Sequence, residues 1–154
     1  MKPPITILFA TMTGNAEGCA IDLELALKER GFTARKENLA HYDASSLARE
    51  SIALLVVSTW GEGEPPDDAI PFYEDLQVLK AGSLSALRFA VFALGDSSYD
   101  EFCGFGRNCD QLLENAGATR LLPCEVCDLD HDERLPRWAC ELADAIEANA
   151  AAVE

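Results

Sequence analysis

Hydroxyl and small residues follow the first apolar run of the chain, at the point where a long amphipathic pattern begins. Thr11 and Thr13 offer hydroxyl groups, and Gly14 lets the backbone turn and approach a ligand closely. A helix that starts here presents unpaired N–H groups and a partial positive charge, which both favour an anion. Because residues 11–16 contain no Lys or Arg, the sequence predicts a phosphate site built from hydroxyls and backbone amides.

Two further segments of unusual composition follow later apolar runs, and each contains one aromatic residue. Trp60 precedes Gly61 after one run, and Tyr99 follows Ser97 and Ser98 after another. Two aromatic side chains on separate loops can enclose a flat heteroaromatic ring, and each offset stack contributes about 0.5–1.5 kcal/mol beyond area burial. Taken alone, Trp60 is better explained as a half-buried packing residue, and Tyr99 is similarly ambiguous. Their joint occurrence after separate strands favours a site for a ring and a phosphate.

Apolar periodicity divides the chain into alternating strands and helices. Strands are predicted at about 5–10, 32–37, 51–58, 88–94 and 119–126, and helices at about 15–30, 44–48, 69–79, 106–115 and 133–149. The central strands are continuous apolar runs, as in a parallel sheet covered on both faces. This order predicts a doubly wound α/β fold, whose ligand site lies at the carboxyl ends of the strands.

Length and composition indicate a single folded domain spanning residues 1–154. The formal net charge of −15 argues against binding to nucleic acid or to an anionic membrane surface, and it suits either a plain solubility role or docking to a basic partner. The sequence shows neither a signal-peptide pattern nor an apolar run long enough for a membrane span. We therefore expect a cytoplasmic protein.

Other nucleotide and phosphate sites are disfavoured by the loop sequences. The Gly-x-Gly-x-x-Gly motif of a dinucleotide fold should follow the first strand, but the first loop has a single glycine. Gly104-Phe105-Gly106 is too short for this motif and lies after the fourth predicted strand. The Gly-Lys-Ser/Thr of a P-loop is absent from the sequence. A phospho-acceptor receiver domain needs acids after strands one and three, where Thr11 and Thr59 stand instead.

Metal and thiol chemistry are also disfavoured. Cys124 and Cys127 form a C-x-x-C, but residues three apart on a strand point to opposite faces, so we interpret them as buried thiols. His41 and His131 are isolated from each other in the sequence, which disfavours a catalytic or metal role for either. Trp138 is predicted to pack in the core, because it lies at helical spacing from other apolar residues.

Three motifs in order resemble those of the flavodoxin family. Thr-x-Thr-Gly-Asn-Ala-Glu at 11–17 resembles the loop that binds the FMN phosphate, and Ser-Thr-Trp-Gly at 58–61 resembles the loop whose aromatic covers one flavin face. Residues 94–99, with Phe102 and Cys103, resemble the loop whose tyrosine covers the other face. The likeness covers essentially the whole chain. It implies a flavodoxin-like three-layer sandwich, with a five-stranded parallel sheet of order 2-1-3-4-5 and helices on both faces.

The resemblance also implies a subtype. Strand five passes to the last helix through a short connection, which is similar to a short-chain flavodoxin. The Gly-Glu-Gly-Glu-Pro-Pro-Asp-Asp stretch at 61–68 is similar to the FMN domains of sulfite reductase and cytochrome P450 reductase.

By this resemblance the cofactor is non-covalently bound FMN, with no metal and no catalytic residue. Trp60 and Tyr99 would stack on the isoalloxazine ring, and the Gly61 peptide would lie near flavin N5, where it can flip toward the protonated semiquinone. The implied FMN-binding residues are Thr11, Met12, Thr13, Gly14, Asn15, Ala16, Ser58, Thr59, Trp60, Gly61, Leu94, Gly95, Asp96, Ser97, Ser98, Tyr99, Phe102 and Cys103.

The implied function is that of a low-potential one-electron carrier, which cycles FMN through its quinone, semiquinone and hydroquinone states. Its partners would be an NAD(P)H-dependent flavodoxin or ferredoxin reductase and acceptor redox proteins, docked through acidic loops on a monomeric carrier. The alternative is an FMN-dependent reductase of a small acceptor such as a quinone, or the FMN module of a two-component reductase. The acids of the flavin-side loops are Glu62, Glu64, Asp67, Asp68, Asp96, Asp100 and Glu101.

Overall fold

A parallel β-sheet forms the middle layer of the protein. A computed structural model describes residues 4–10, 14–58, 69–94, 104–127 and 131–153. Within them the strands are β1 (Ile5–Ala10), β2 (Ala34–Asn38), β3 (Ile52–Ser58), β4 (Arg88–Leu94), β5 (Thr119–Arg120) and β6 (Glu125–Cys127). All pairings are parallel and the order is β2-β1-β3-β4-β5, with β6 also paired to β4.

Helices cover both faces of this sheet. They are α1 (Asn15–Glu29), α2 (Ile70–Gln77), α3 (Gly104–Asn115) and α4 (His131–Val153), and two 3-10 helices, Leu39–His41 and Ala44–Arg49, connect β2 to β3. One core forms between the sheet and α1 with α4, and a second forms between the sheet and α2, α3 and the 3-10 helices. The predicted three-layer α/β fold and its strand order are confirmed.

The central strands are apolar on both faces because each face is covered by helices. Every residue from Ile52 to Val57 is buried. Leu54 belongs to the core beneath α1 and α4, whereas Leu55 belongs to the core on the other face. This alternation explains why β3 reads as a continuous apolar run rather than as an alternating one.

The predicted fifth strand is two short strands. β5 and β6 both pair with β4, but residues 121–124 between them are not in strand conformation. Pro123 lies in this interruption, and a proline has no N–H with which to continue a hydrogen-bonded ladder. The prediction of one continuous strand at 119–126 was therefore wrong, although its place beside β4 was correct.

The prediction that Trp138 packs in the core is confirmed, whereas the prediction of two buried thiols holds for Cys127 and not for Cys124, which is only partly buried. Cys127 belongs to the core beneath α1 and α4, while Cys124 packs against the core on the opposite face. Trp138 is 2% exposed and its ring centroid lies 5.0 Å from that of Phe92.

No helix in the ranges that the structure describes is long and apolar enough to cross a membrane.

Arg120 fastens the second half of α3 to the short strand β5. Its Nε donates to Asp110 Oδ1 at 3.0 Å and its Nη2 donates to Asp110 Oδ2 at 2.7 Å, and it also donates to Glu114. The guanidinium carbon lies 5.7 Å from the centroid of the Phe89 ring. The hydrogen bond to Asp110 raises the pKa of Arg120. A two-pronged contact of this kind fixes orientation as well as distance.

Cys109 is buried in α3 against the sheet. Burial raises the pKa of its thiol, and the neighbouring Cys124 and Asp110 act in the same direction. The ordinary pKa of a cysteine thiol is 9.0. As pH rises, the thiol of the unfolded chain therefore ionises at a lower pH than the buried thiol of the folded protein. Unfolding then releases a proton above about pH 9, and the free energy of unfolding falls with pH in this range.

We predict that Cys109→Ala makes the alkaline loss of stability less steep. The slope that a single such thiol contributes is about 1.4 kcal/mol per pH unit above pH 9, and the variant should lack it. Urea unfolding of the reduced protein between about pH 8 and 11 measures the slope. Cys140→Ala, which removes an exposed thiol, is the matched control and should retain it. Identical slopes in all three proteins would contradict the burial of an ionisable thiol at Cys109.

Candidate functional site

The carboxyl ends of four strands lie side by side at one edge of the sheet. Ala10 pairs with Val57, Ser58 pairs with Leu94, and Leu94 pairs with Cys127. In a doubly wound sheet this edge, at the point where the strand order reverses, is where ligands bind. The segments that leave from it lie outside the described residues and are 11–13, 59–68, 95–103 and 128–130.

Few of the predicted cofactor residues fall within the described ranges. Ala16 and Leu94 are buried, Ser58 is partly exposed, Gly14 is exposed, and the backbone of Asn15 begins α1. Outside the described residues lie Thr11, Met12, Thr13, Thr59, Trp60, Gly61, Gly95, Asp96, Ser97, Ser98, Tyr99, Phe102 and Cys103. The roles of these residues stay predictions, as do those of the acidic flavin-side residues.

The start of α1 has the geometry of an anion site. Gly14 precedes the helix with φ 90° and ψ −8°, a left-handed conformation that glycine adopts readily. Its carbonyl accepts the Gly18 N–H at 3.0 Å. The amides of Asn15, Ala16 and Glu17 therefore have no acceptor within the helix itself. With the helix dipole, they favour a bound anion at this position.

The first turn of α3 lies against the ends of β3 and β4. A Cβ at Gly106 would lie 2.4 Å from Ala93 Cβ and 3.4 Å from Val57 Cγ2. Ala93 and Val57 are the penultimate residues of their strands. The helix that follows segment 95–103 thus begins beside the strand ends from which two of the predicted loops leave. In the sequence, Gly106 stands out only as a glycine near a helix start and as part of a failed match to a dinucleotide motif.

The connection from β6 to α4 is fastened by Arg134. Its Nη1 donates to the Val126 carbonyl at 3.1 Å and to Glu125 Oε2 at 2.9 Å. The two ends of segment 128–130 are therefore held together by residues that no sequence motif identified.

His41, one of the two histidines of the chain, lies in a cleft beside β2. It is exposed and lines an open cleft of about 430 Å³ formed by β2 and the 3-10 helices. Arg35 pairs there with Glu37 at 2.7 Å and with Glu50 at 3.1 Å, and the Tyr42 hydroxyl donates to Glu50 at 3.0 Å. Burial raises the pKa of Tyr42, and the charge of Glu50 raises it further. This cleft contains none of the predicted cofactor residues.

Comparison with known proteins gives a consistent result. A family model described as Flavodoxin matches residues 7–140. The sulfite reductase [NADPH] flavoprotein alpha-component of Bacillus subtilis is 43% identical over 134 residues, which is 87% of this chain and 22% of that protein. The same component from Mannheimia succiniciproducens is 40% identical over 147 residues, 96% of this chain and 25% of that protein. The chain thus spans about a quarter of the length of these relatives.

Solved structures with the same fold match over nearly their whole length. A flavodoxin from Streptococcus pneumoniae TIGR4 superposes with a TM-score of 0.79 at 34% identity, covering 92% of this chain and 98% of that one. A flavodoxin variant from Pseudomonas aeruginosa superposes with a TM-score of 0.81 at 28% identity, covering 94% and 99%.

We predict opposite effects of alanine at the two glycines that flank the start of α1. Neither added Cβ would meet another atom within 4 Å, so backbone conformation decides both results. Gly14→Ala should lower the free energy of unfolding of the apoprotein by about 1–2 kcal/mol, because of its positive φ. Gly18→Ala, inside α1, should raise it by about 1 kcal/mol. Urea unfolding measures both. A neutral Gly14→Ala would contradict the left-handed geometry of the predicted phosphate site.

Proposed function

The chain belongs to the flavodoxin family, and we propose that it carries single electrons between redox proteins by means of non-covalently bound FMN. FMN is the cofactor of this family. When bound, it accepts and returns one electron at a time, at potentials that the surrounding protein sets. The observation that carries the proposal is that three family motifs follow β1, β3 and β4, whose carboxyl ends adjoin at one edge of the sheet.

The described residues at the start of α1 suit the phosphate end of FMN. Gly14 has the turn geometry that brings backbone amides toward a ligand, and the first amides of α1 have no acceptor in their own helix. The proposed ligands are the hydroxyls of Thr11 and Thr13, the side chain of Asn15 and the amides of residues 12–16. Since residues 11–16 contain no cation, the protein holds the phosphate without placing a positive charge beside it.

The ring end is assigned to the two loops that follow β3 and β4. Trp60 and Tyr99 would stack on opposite faces of the flavin and exclude water from it. Backbone groups of residues 59–61 and 94–103 would bind its polar edge. The Gly61 peptide would turn its carbonyl toward a proton on N5, and a glycine permits this turn at low steric cost. The protein thereby orients the ring and holds a proton at one defined atom.

Acidic residues in these loops would make the reduced cofactor a strong donor. One carboxylate about 10 Å from the ring disfavours an added electron by roughly 0.4–1.7 kcal/mol, for effective dielectrics between about 80 and 20. This corresponds to a potential lower by on the order of 20–70 mV for each carboxylate. The same charges would attract a basic face on a reductase or acceptor.

A second candidate is the FMN module of a two-component reductase. It is favoured by identities of 43% and 40% to sulfite reductase alpha-components, against 34% and 28% to two flavodoxins. Superposition on whole flavodoxins is expected for either role. Both roles use the same FMN site and differ in the protein that delivers the electrons. A reductase of a small acceptor such as a quinone would in addition need direct access to its reductant.

We predict that the purified protein binds FMN through Trp60. Flavin released from it should be FMN, and an anaerobic titration should resolve two one-electron steps. Trp60→Ala should weaken FMN binding about tenfold or more, because it removes one stack and the apolar area beneath it. Trp60→Phe keeps a ring at this position and should bind within about threefold of the wild type. Fluorescence titration of the apoprotein measures both affinities. A wild-type apoprotein that does not bind FMN would refute the proposed function.

We predict that electrons reach this protein only through a partner. With NADPH and a flavodoxin reductase, the rate constant for its reduction should fall as ionic strength rises. Neutralising Glu64 and Asp68 together should lower that rate constant severalfold at low salt. Glu29→Gln removes an exposed charge at the far end of α1 and should have little effect. With NADPH and a quinone but no reductase, we expect no turnover; rapid turnover would identify an enzyme with its own small acceptor.

A further inference from the structure

Gly106 in α3 lies directly against Ala93 in β4, beside the predicted flavin site. We propose that Gly106 is a positioning residue for the flavin ring: its missing side chain sets the width of the base of segment 95–103, which carries Tyr99. The inference rests on the proposed FMN site. It concerns a residue that belongs to none of the three motifs and lies within the described part of the chain.

The contact leaves no room for a side chain. A Cβ on Gly106 would lie 2.4 Å from Ala93 Cβ and 3.3 Å from Ala93 Cα. Ordinary van der Waals contact requires 3.4–4 Å, so helix and strand would have to separate by about 1 Å. The neighbouring Phe105 is buried in the core and meets the Tyr73 ring edge-on at a centroid distance of 5.2 Å. Rotation of the helix about its axis would disrupt that packing, so separation is the available response.

The two contacting residues flank the segment in the sequence. Ala93 precedes segment 95–103 by two positions, and Gly106 follows it by three. The distance across the base of this segment therefore depends directly on how closely these residues approach. A separation at the contact moves one end of the segment relative to the other.

The rest of α3 cannot easily follow such a movement. Arg120 holds Asp110 through two hydrogen bonds and also holds Glu114, so the second half of the helix is fastened to β5. Cys109 and Leu113 are buried against the sheet on the same helix. A displacement caused at Gly106 would accordingly be concentrated in the first turn, which is the end at the predicted flavin site.

The phosphate end should be unaffected. Its helix, α1, packs on the opposite face of the sheet from α3. A larger residue at 106 should therefore weaken binding of the ring without altering binding of the phosphate. Riboflavin has the same ring but no phosphate, so its affinity should fall by the same factor as that of FMN.

The test exchanges a methyl group across the contact. Gly106→Ala should weaken FMN binding about tenfold and should change the visible circular dichroism of the bound flavin. The double variant Gly106→Ala with Ala93→Gly moves the methyl from strand to helix, and both FMN affinity and flavin spectrum should return to within about threefold of the wild type. Gly18→Ala, in open space on α1, is the glycine-to-alanine control and should change neither.

Wild-type FMN affinity and spectrum in Gly106→Ala would overturn the inference. A loss that persists in the double variant would also overturn it, because the contact with Ala93 would not be the cause. If Gly106→Ala does not fold, far-UV circular dichroism and FMN titration of the double variant decide the matter: recovery of both supports the inference, and failure of either refutes it. Failure of the wild-type apoprotein to bind FMN is a different result, since it refutes the proposed function itself.

Discussion

Burial of the central strands on both faces is the constraint on which the rest of the structure depends. β1, β3 and β4 are enclosed between two layers of helices, so nearly all of their buried side chains are apolar. Among the buried residues that the structure describes, Thr6 is the one polar side chain. Polar functional groups therefore stand mainly in the segments that leave the carboxyl ends of the strands. The parallel register brings the starts of those segments to one edge of the sheet.

Features that local sequence determines could be predicted, and features that arise from contact between distant elements could not. β4 was predicted with its observed bounds, Arg88–Leu94, because a buried parallel strand has an unbroken apolar run. The break at Pro123 was missed, although its cause is local, because the flanking residues resemble a strand. The clamp by Arg120 and the close approach at Gly106 depend on tertiary packing that no spacing reveals. The strand order and the start of α1 were predicted correctly as elements, whereas their part in a cofactor site and the roles of the loop side chains stay predictions.

The start of α1 illustrates how an acidic protein can hold an anion. With a formal net charge of −15, a nearby Lys or Arg would be the simplest way to offset repulsion of a phosphate. Such a cation would also stabilise added negative charge on a neighbouring cofactor. Backbone amides bind an anion with partial charges directed at one place, and their effect declines within the first turn of the helix. A carrier that must give up electrons readily would benefit from this arrangement.

The two ends of α3 are held in physically different ways, and the difference matters for the site. Charged hydrogen bonds from Arg120 fasten the second half of the helix to β5 through side chains. At Gly106 the backbone meets the strand directly, and no flexible side chain lies between them to absorb a displacement. The rigid contact is the one nearest the predicted flavin site. Under the proposed role of Gly106, a change in volume at the first turn of α3 would shift the base of the segment that precedes it.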